Sequence, residues 1–148
     1  MSLSNAVETK IAALALTALR VVSGALFLAH GLVKLIGFPA DAAPGIQPLL
    51  SLFGVGGVIE LATGVLLIAG LFTRPAAFIA SGEMAVGYWL FHAPASFFPA
   101  VNGGDAAVLF SFIFLYFAAV GAGPFSLDVL LGRAPDTGAD ARIALKAR

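Results

Sequence analysis

The sequence predicts an all-α protein: a four-helix transmembrane bundle with both termini on the cytoplasmic side. Three observations carry that prediction. Of 148 residues, 60% are hydrophobic and 11% charged, and mean hydropathy is +1.02, whereas soluble domains carry about 25% charged residues. The apolar residues gather into four runs, each near the length of roughly 20 residues, range about 17–25, that crosses a bilayer as a helix. Proline- and glycine-rich stretches separate those runs.

The first span is expected over 11–37. It is too long for a cleaved signal peptide, Arg20 interrupts it, and no small-x-small site follows at the right distance. Pro39, Pro44, Gly45 and Pro48 mark the first loop, and the second span is expected over 46–72. Thr73-Arg74-Pro75 is a very short connection, with Thr73 suited to capping and Pro75 to a first helical position, so the second and third helices form an antiparallel hairpin. The third span covers 75–91. Pro94, Pro99 and Asn102-Gly103-Gly104 mark the third loop before a fourth span over 105–123. Residues 1–128 read as one membrane domain and 129–148 as a polar cytoplasmic tail. Lys10, Arg74, Arg133, Arg142, Lys146 and Arg148 fall at the ends and in the second loop, while the first and third loops carry no Lys or Arg. The positive-inside rule therefore places both termini in the cytoplasm.

Three charges lie inside these spans. A central Arg or acidic residue costs roughly 2.5–3.5 kcal/mol on insertion scales, so Arg20, Glu60 and Glu83 are expected to pair or to act. Counted from the expected cytoplasmic ends, they fall within roughly 5 Å of one another in depth. Small residues flank them at helical spacing: Thr17, Ser23 and Gly24 beside Arg20, then Gly56, Gly57, Thr63 and Gly64 beside Glu60, and Ala80 and Gly87 beside Glu83. Small residues mark close helix contact in membranes, so an Arg20–Glu60–Glu83 cluster facing the interior is expected. Two carboxyls against one guanidinium leave one carboxyl to hold a proton, the kind of group that proton-coupled or quinone chemistry uses. The structural alternative is that the ion pair only specifies helix register.

A second polar group is expected toward the outer face. His30 and Lys34 are one turn apart on the first helix, at the level of His92, Asn102 and Asp105, with Tyr88, Trp89, Phe97 and Phe98 nearby. Plainer readings exist: a snorkelling Lys34, an interfacial aromatic belt, and Asp105 capping the fourth helix.

Other chemistries find little support. The net charge is zero without a basic stripe, which argues against nucleic acid as a partner. The chain has no Cys, and its two His are too far apart in sequence for a metal-ligand signature. Gly54-x-Gly56-Gly57 lies within a hydrophobic span and is not a dinucleotide fingerprint; there is no nucleophile elbow or HExxH motif.

Arg20 and Gly24, then His30-Gly31-Leu32-Val33-Lys34-Leu35, resemble the start of the DoxX family of small four-helix membrane proteins. The resemblance continues through Glu60-Leu61-Ala62-Thr63-Gly64-Val65-Leu66-Leu67 and Gly70-Leu71-Phe72-Thr73-Arg74-Pro75. It extends to Glu83-Met84-Ala85, Asn102-Gly103-Gly104-Asp105 and Gly121-Ala122-Gly123-Pro124-Phe125-Ser126-Leu127-Asp128. Asp105 stands where the family usually has Glu, and Phe125 where Tyr is common. The resemblance implies an inner-membrane subunit of an oxidoreductase system with a quinone as its possible cofactor. On that redox reading, the charges grouped above by depth, Glu60, Glu83 and Arg20, would be the catalytic group, and His30, Lys34, Asn102 and Asp105 would meet the quinone head; at Glu83 the family pattern is looser and the depth count carries the assignment. Redox proteins are the partners so implied, besides lipid; further copies of the chain are a partner suggested instead by the small surface that four short helices bury. A non-catalytic assembly subunit and a proton or small-solute transporter are the alternatives.

Overall fold

A computed structural model describes residues 3–133, with side chains from Val7 onward. Its described residues form helices and no strand: α1 (Leu3–Ile36), α2 (Leu52–Ala69), α3 (Thr73–Gly87), α4 (Pro99–Asn102), α5 (Asp105–Val120) and α6 (Leu127–Leu130), with a π-helical turn at Tyr88–His92 extending α3. Val7–Ile36 and Leu52–Ala69 are long and apolar enough to cross a membrane; Asp105–Val120 is apolar but shorter. Most of the predicted tail, 134–148, lies outside the described residues.

Three boundaries differ from expectation for identifiable reasons. The run from 46 to 50 is apolar but not helical, because the hydroxyl of Ser51 accepts the Gly54 amide at 3.0 Å and starts α2 only after Pro48. Gly70, at φ +66°, ends α2 with a Schellman pattern, Leu71 N–H to the Leu66 carbonyl at 2.9 Å and Gly70 N–H to that of Leu67 at 3.2 Å. Thr73 does not cap α3; it is its first residue. The cap comes from Asp128, whose two carboxylate oxygens accept the amides of Phe72 and Thr73 at 2.8 and 2.9 Å.

α1 and α2 pack antiparallel along a seam of alternating three- and four-residue steps: Arg20, Gly24, Phe27, Gly31 and Lys34 on α1, and Gly57, Glu60, Gly64 and Leu67 on α2. This spacing is that of two helices crossing at a shallow angle. The glycines fix the register. A Cβ on Gly31 would stand 2.7 Å from the Leu61 amide nitrogen, and one on Gly64 would stand 2.8 Å from that of Leu28. Backbones approach this closely only where side chains are absent. On the other side, α3 and α5 join through reciprocal bonds between Ser81 and Ser111, each hydroxyl donating to the other's carbonyl at 2.8 and 3.2 Å. Small Ala77 and Ala80 of α3 admit Phe114 and Phe117 to a core completed by Phe27 and Leu67. Phe27 meets Phe114 edge-on, with ring centroids 4.8 Å apart.

Candidate functional site: a polar cavity between the helices

The helix register separates the charges that the sequence reading had grouped. Arg20 lies level with the C-terminal end of α2, close to Gly70, while Lys34, fourteen residues and about 21 Å farther along α1, faces the middle of α2. The expected Arg20–Glu60–Glu83 cluster is therefore not formed. The depth count failed because it started from expected span ends, whereas the glycine contacts set how α1 slides along α2.

Arg20 is 1% exposed, and among the described residues its side-chain hydrogen bonds all go to backbone carbonyls. Its Nε donates to Ala122 at 3.0 Å, Nη1 to Leu67 at 2.5 Å and Ile68 at 3.0 Å, and Nη2 to Phe125 at 2.7 Å. The planar fork thus completes the Ile68 carbonyl at the end of α2, adds a second donor to that of Leu67, and pins the 121–128 segment beside them. Asp128 completes the junction, since its own amide donates to Gly70 at 2.8 Å. Arg20 is a structural clamp.

Lys34 is the counter-ion of Glu60. Its Nζ lies 2.7 Å from Glu60 Oε1, with side chains only 13% and 3% exposed. Glu83 reaches across from α3 to the same place: a Cβ on Gly56 would stand 2.9 Å from Glu83 Oε1 and 3.8 Å from Lys34 Nζ. The glycine at 56 makes room for the acid. Glu60 Oε2 and Glu83 Oε2 are buried without a hydrogen-bond partner among the described residues. An acceptor so placed costs free energy until a donor reaches it.

These groups line a cavity of about 590 Å³ between α1, α2, α3 and α5. Apart from Lys34, Glu60, Glu83, His30 and His92, its walls are apolar or glycine, including Phe53, Ile59, Met84, Leu90 and Phe110. His30 is exposed at the rim and meets the Phe110 ring edge-on at 6.3 Å. A mostly apolar pocket of this size with a few converging polar groups is the usual form of a small-molecule site.

Of the expected ligand contacts, His30 and Lys34 line the cavity, whereas Asn102 and Asp105 do not. Asn102 sews the third loop together. Its Nδ2 donates to the Ser96 carbonyl at 2.6 Å and the Tyr88 hydroxyl at 3.3 Å, and its Oδ1 accepts the Gly104 amide at 2.7 Å. Asp105 is exposed in the first turn of α5, where a negative charge suits the helix dipole. His92 was left out of the expected ligand set, yet it lines the cavity; its Nδ1 is 3.1 Å from the Asn102 carbonyl. The Lys34–Glu60 pairing was signalled by the 20, 24, 27, 31, 34 seam, which places Lys34 on the same face as Arg20.

Comparison with known proteins agrees with the motifs. The DoxX family model matches residues 15–93, which takes in the clamp arginine, the ion pair, Glu83 and His92 and stops before the 102–128 motifs. A protein of Haemophilus influenzae described as uncharacterized is 45% identical over 117 residues, 74% of this chain and 85% of that relative. No solved structure matches the chain. The family match and the relative together establish that the chain belongs to the DoxX family of membrane proteins.

Proposed function

We propose that the protein is the membrane subunit of a quinone-linked redox system, a four-helix bundle in the inner membrane with both termini cytoplasmic, and that the cavity holds the quinone ring. The observation that carries this reading is a buried Lys34–Glu60 pair, with Glu83 alongside, inside an otherwise apolar cavity. Ionisable groups are costly in hydrocarbon and concentrate at ion, proton and ligand sites. The cavity also fits the group chemically, since a quinone is an apolar ring with polar atoms at its edge.

A bound quinone supplies two-electron, two-proton chemistry. The chain's own residues orient and neutralise. The Lys34 ammonium holds Glu60 in place and is a donor within reach of the cavity, while Glu60 and Glu83 are positioned to hold or accept a proton away from water. His30 sits at the rim, where it can exchange protons with the surroundings. Arg20 takes no part in this chemistry; its four carbonyl bonds support the assembly-subunit alternative as far as that residue goes. They leave the cavity without a role. The test is titration of a long-chain quinone into the protein in lipid nanodiscs. Saturable binding that Glu83→Leu abolishes while the protein stays folded supports the reading; no binding by the wild type contradicts it.

A further inference from the structure

Gly82 and Gly87 line the cavity, yet nothing stands within 4 Å of the position a Cβ would take at either. They differ from Gly31 and Gly64, whose missing side chains let two backbones meet. At 82 and 87 the missing side chains leave a gap. Its rim is apolar and exposed, with Val55 of α2 47% exposed and Ile79 and Val86 of α3 50% and 57% exposed. In a membrane protein an exposed apolar rim on the side of the helices faces lipid.

Inside the gap the site is rich in acceptors. Glu60 is 2% exposed and its Oε1 is committed to Lys34, while its Oε2 has no partner among the described residues and is free to accept. His92 lines the same cavity with Nδ1 3.1 Å from the Asn102 carbonyl, so that a ring donating there through Nδ1 offers Nε2 as an acceptor whenever it carries one proton. Lys34 gives one of its donors to Glu60 at the same wall, and Glu83 Oε2 is a further buried oxygen without a partner among the described residues. A ligand that brings its own hydroxyl donor fits this wall better than one that brings only carbonyls.

We propose that the cavity takes a single-tailed amphipath sideways from the bilayer through the gap between α2 and α3, its tail lying in the gap at Gly82 and its ring head donating a hydroxyl to Glu60 Oε2. This rests on the quinone reading and narrows it, naming the reduced, hydroxyl-bearing ring as the preferred occupant.

The test compares three probes on the protein in nanodiscs under anaerobic conditions: a decyl-substituted hydroquinone, its dimethyl ether and hydroquinone without a tail. The ether is expected to bind on the order of tenfold more weakly than the free hydroquinone, the value of one hydrogen bond to a charged group. Gly82→Leu is expected to weaken the tailed hydroquinone by a similar factor and to leave the tail-less one unchanged. Thermal unfolding of Gly82→Leu should come no lower than that of the wild type, because its Cβ meets nothing. Equal binding of hydroquinone and ether, or a tailed ligand indifferent to Gly82→Leu, overturns the proposal. Quinone reduction by a protein that binds hydroquinone and ether alike sinks this proposal alone. Discrimination against the ether by a protein that binds no quinone sinks the redox reading alone.

Discussion

Lys34 and Glu60 form a charge pair in a wall that is otherwise apolar, and the energetics of such a pair are asymmetric. Removing one partner leaves the other charged and buried, at a cost of about 3–5 kcal/mol, whereas replacing both with apolar residues of similar size is often neutral or stabilising. Lys34→Met is therefore expected to destabilise the protein by that amount, and Lys34→Met with Glu60→Met to restore most of the loss. Thermal or denaturant unfolding in detergent measures both; equal stability of the single and double variants would contradict the pairing. At this scale the sequence was partly legible. Glu60, Glu83, Lys34 and His30 stood out as ionisable residues inside or at the ends of apolar runs. Which cation met which acid was hidden, because that depends on how far one helix slides along its neighbour. A count from uncertain span ends misplaces that by several residues, and each residue is about 1.5 Å.

Two devices hold the elements together, and each makes its own prediction. The α1–α2 seam depends on backbone contact at Gly31 and Gly64, so Gly31→Ala or Gly64→Ala should destabilise by about 1–3 kcal/mol through overpacking. Gly82→Ala, where the new Cβ meets nothing, should be neutral or stabilising by up to about 1 kcal/mol from helix propensity. Unfolding midpoints that place the three variants together would contradict the register. The Arg20 clamp depends on a planar fork reaching four carbonyls on two segments. Arg20→Lys offers donors from a single point and is expected to rescue little of the loss on Arg20→Leu, on the order of 3 kcal/mol for the carbonyls left unpaired. Stability of Arg20→Lys equal to the wild type would show that charge, not shape, is what the site needs. The helices themselves were legible from apolar runs and Pro/Gly punctuation. Their ends were less so: Ser51, Gly70 and Asp128 act through side-chain and backbone hydrogen bonds, and Asp128 caps α3 from 55 residues away in sequence, beyond any local pattern.

For the whole molecule, the proposed four-span arrangement would return the chain to the side where it began, and Lys10, Arg74 and Arg133 would lie together on that side. Reporter fusions after the first and third loops are expected to read as periplasmic, and fusions at both termini as cytoplasmic; a terminus reading as periplasmic would contradict the four-span arrangement. The family was legible in the sequence because its motifs are the residues that fix the fold: the clamp arginine, the seam glycines and the Gly70-to-Pro75 turn. The chemistry was less legible because the cavity is built from single residues on four helices, and no one segment carries its signature. The cavity, as a site for a membrane-dissolved ring ligand, is what ties these features together. Mass spectrometry of the intact protein released from its native membrane tests this most directly. A bound species of quinone or quinol mass is expected on the wild type and none on a folded Lys34→Met, Glu60→Met protein; a wild type that carries no such species, or a double variant that carries as much, would contradict a ligand site in the cavity.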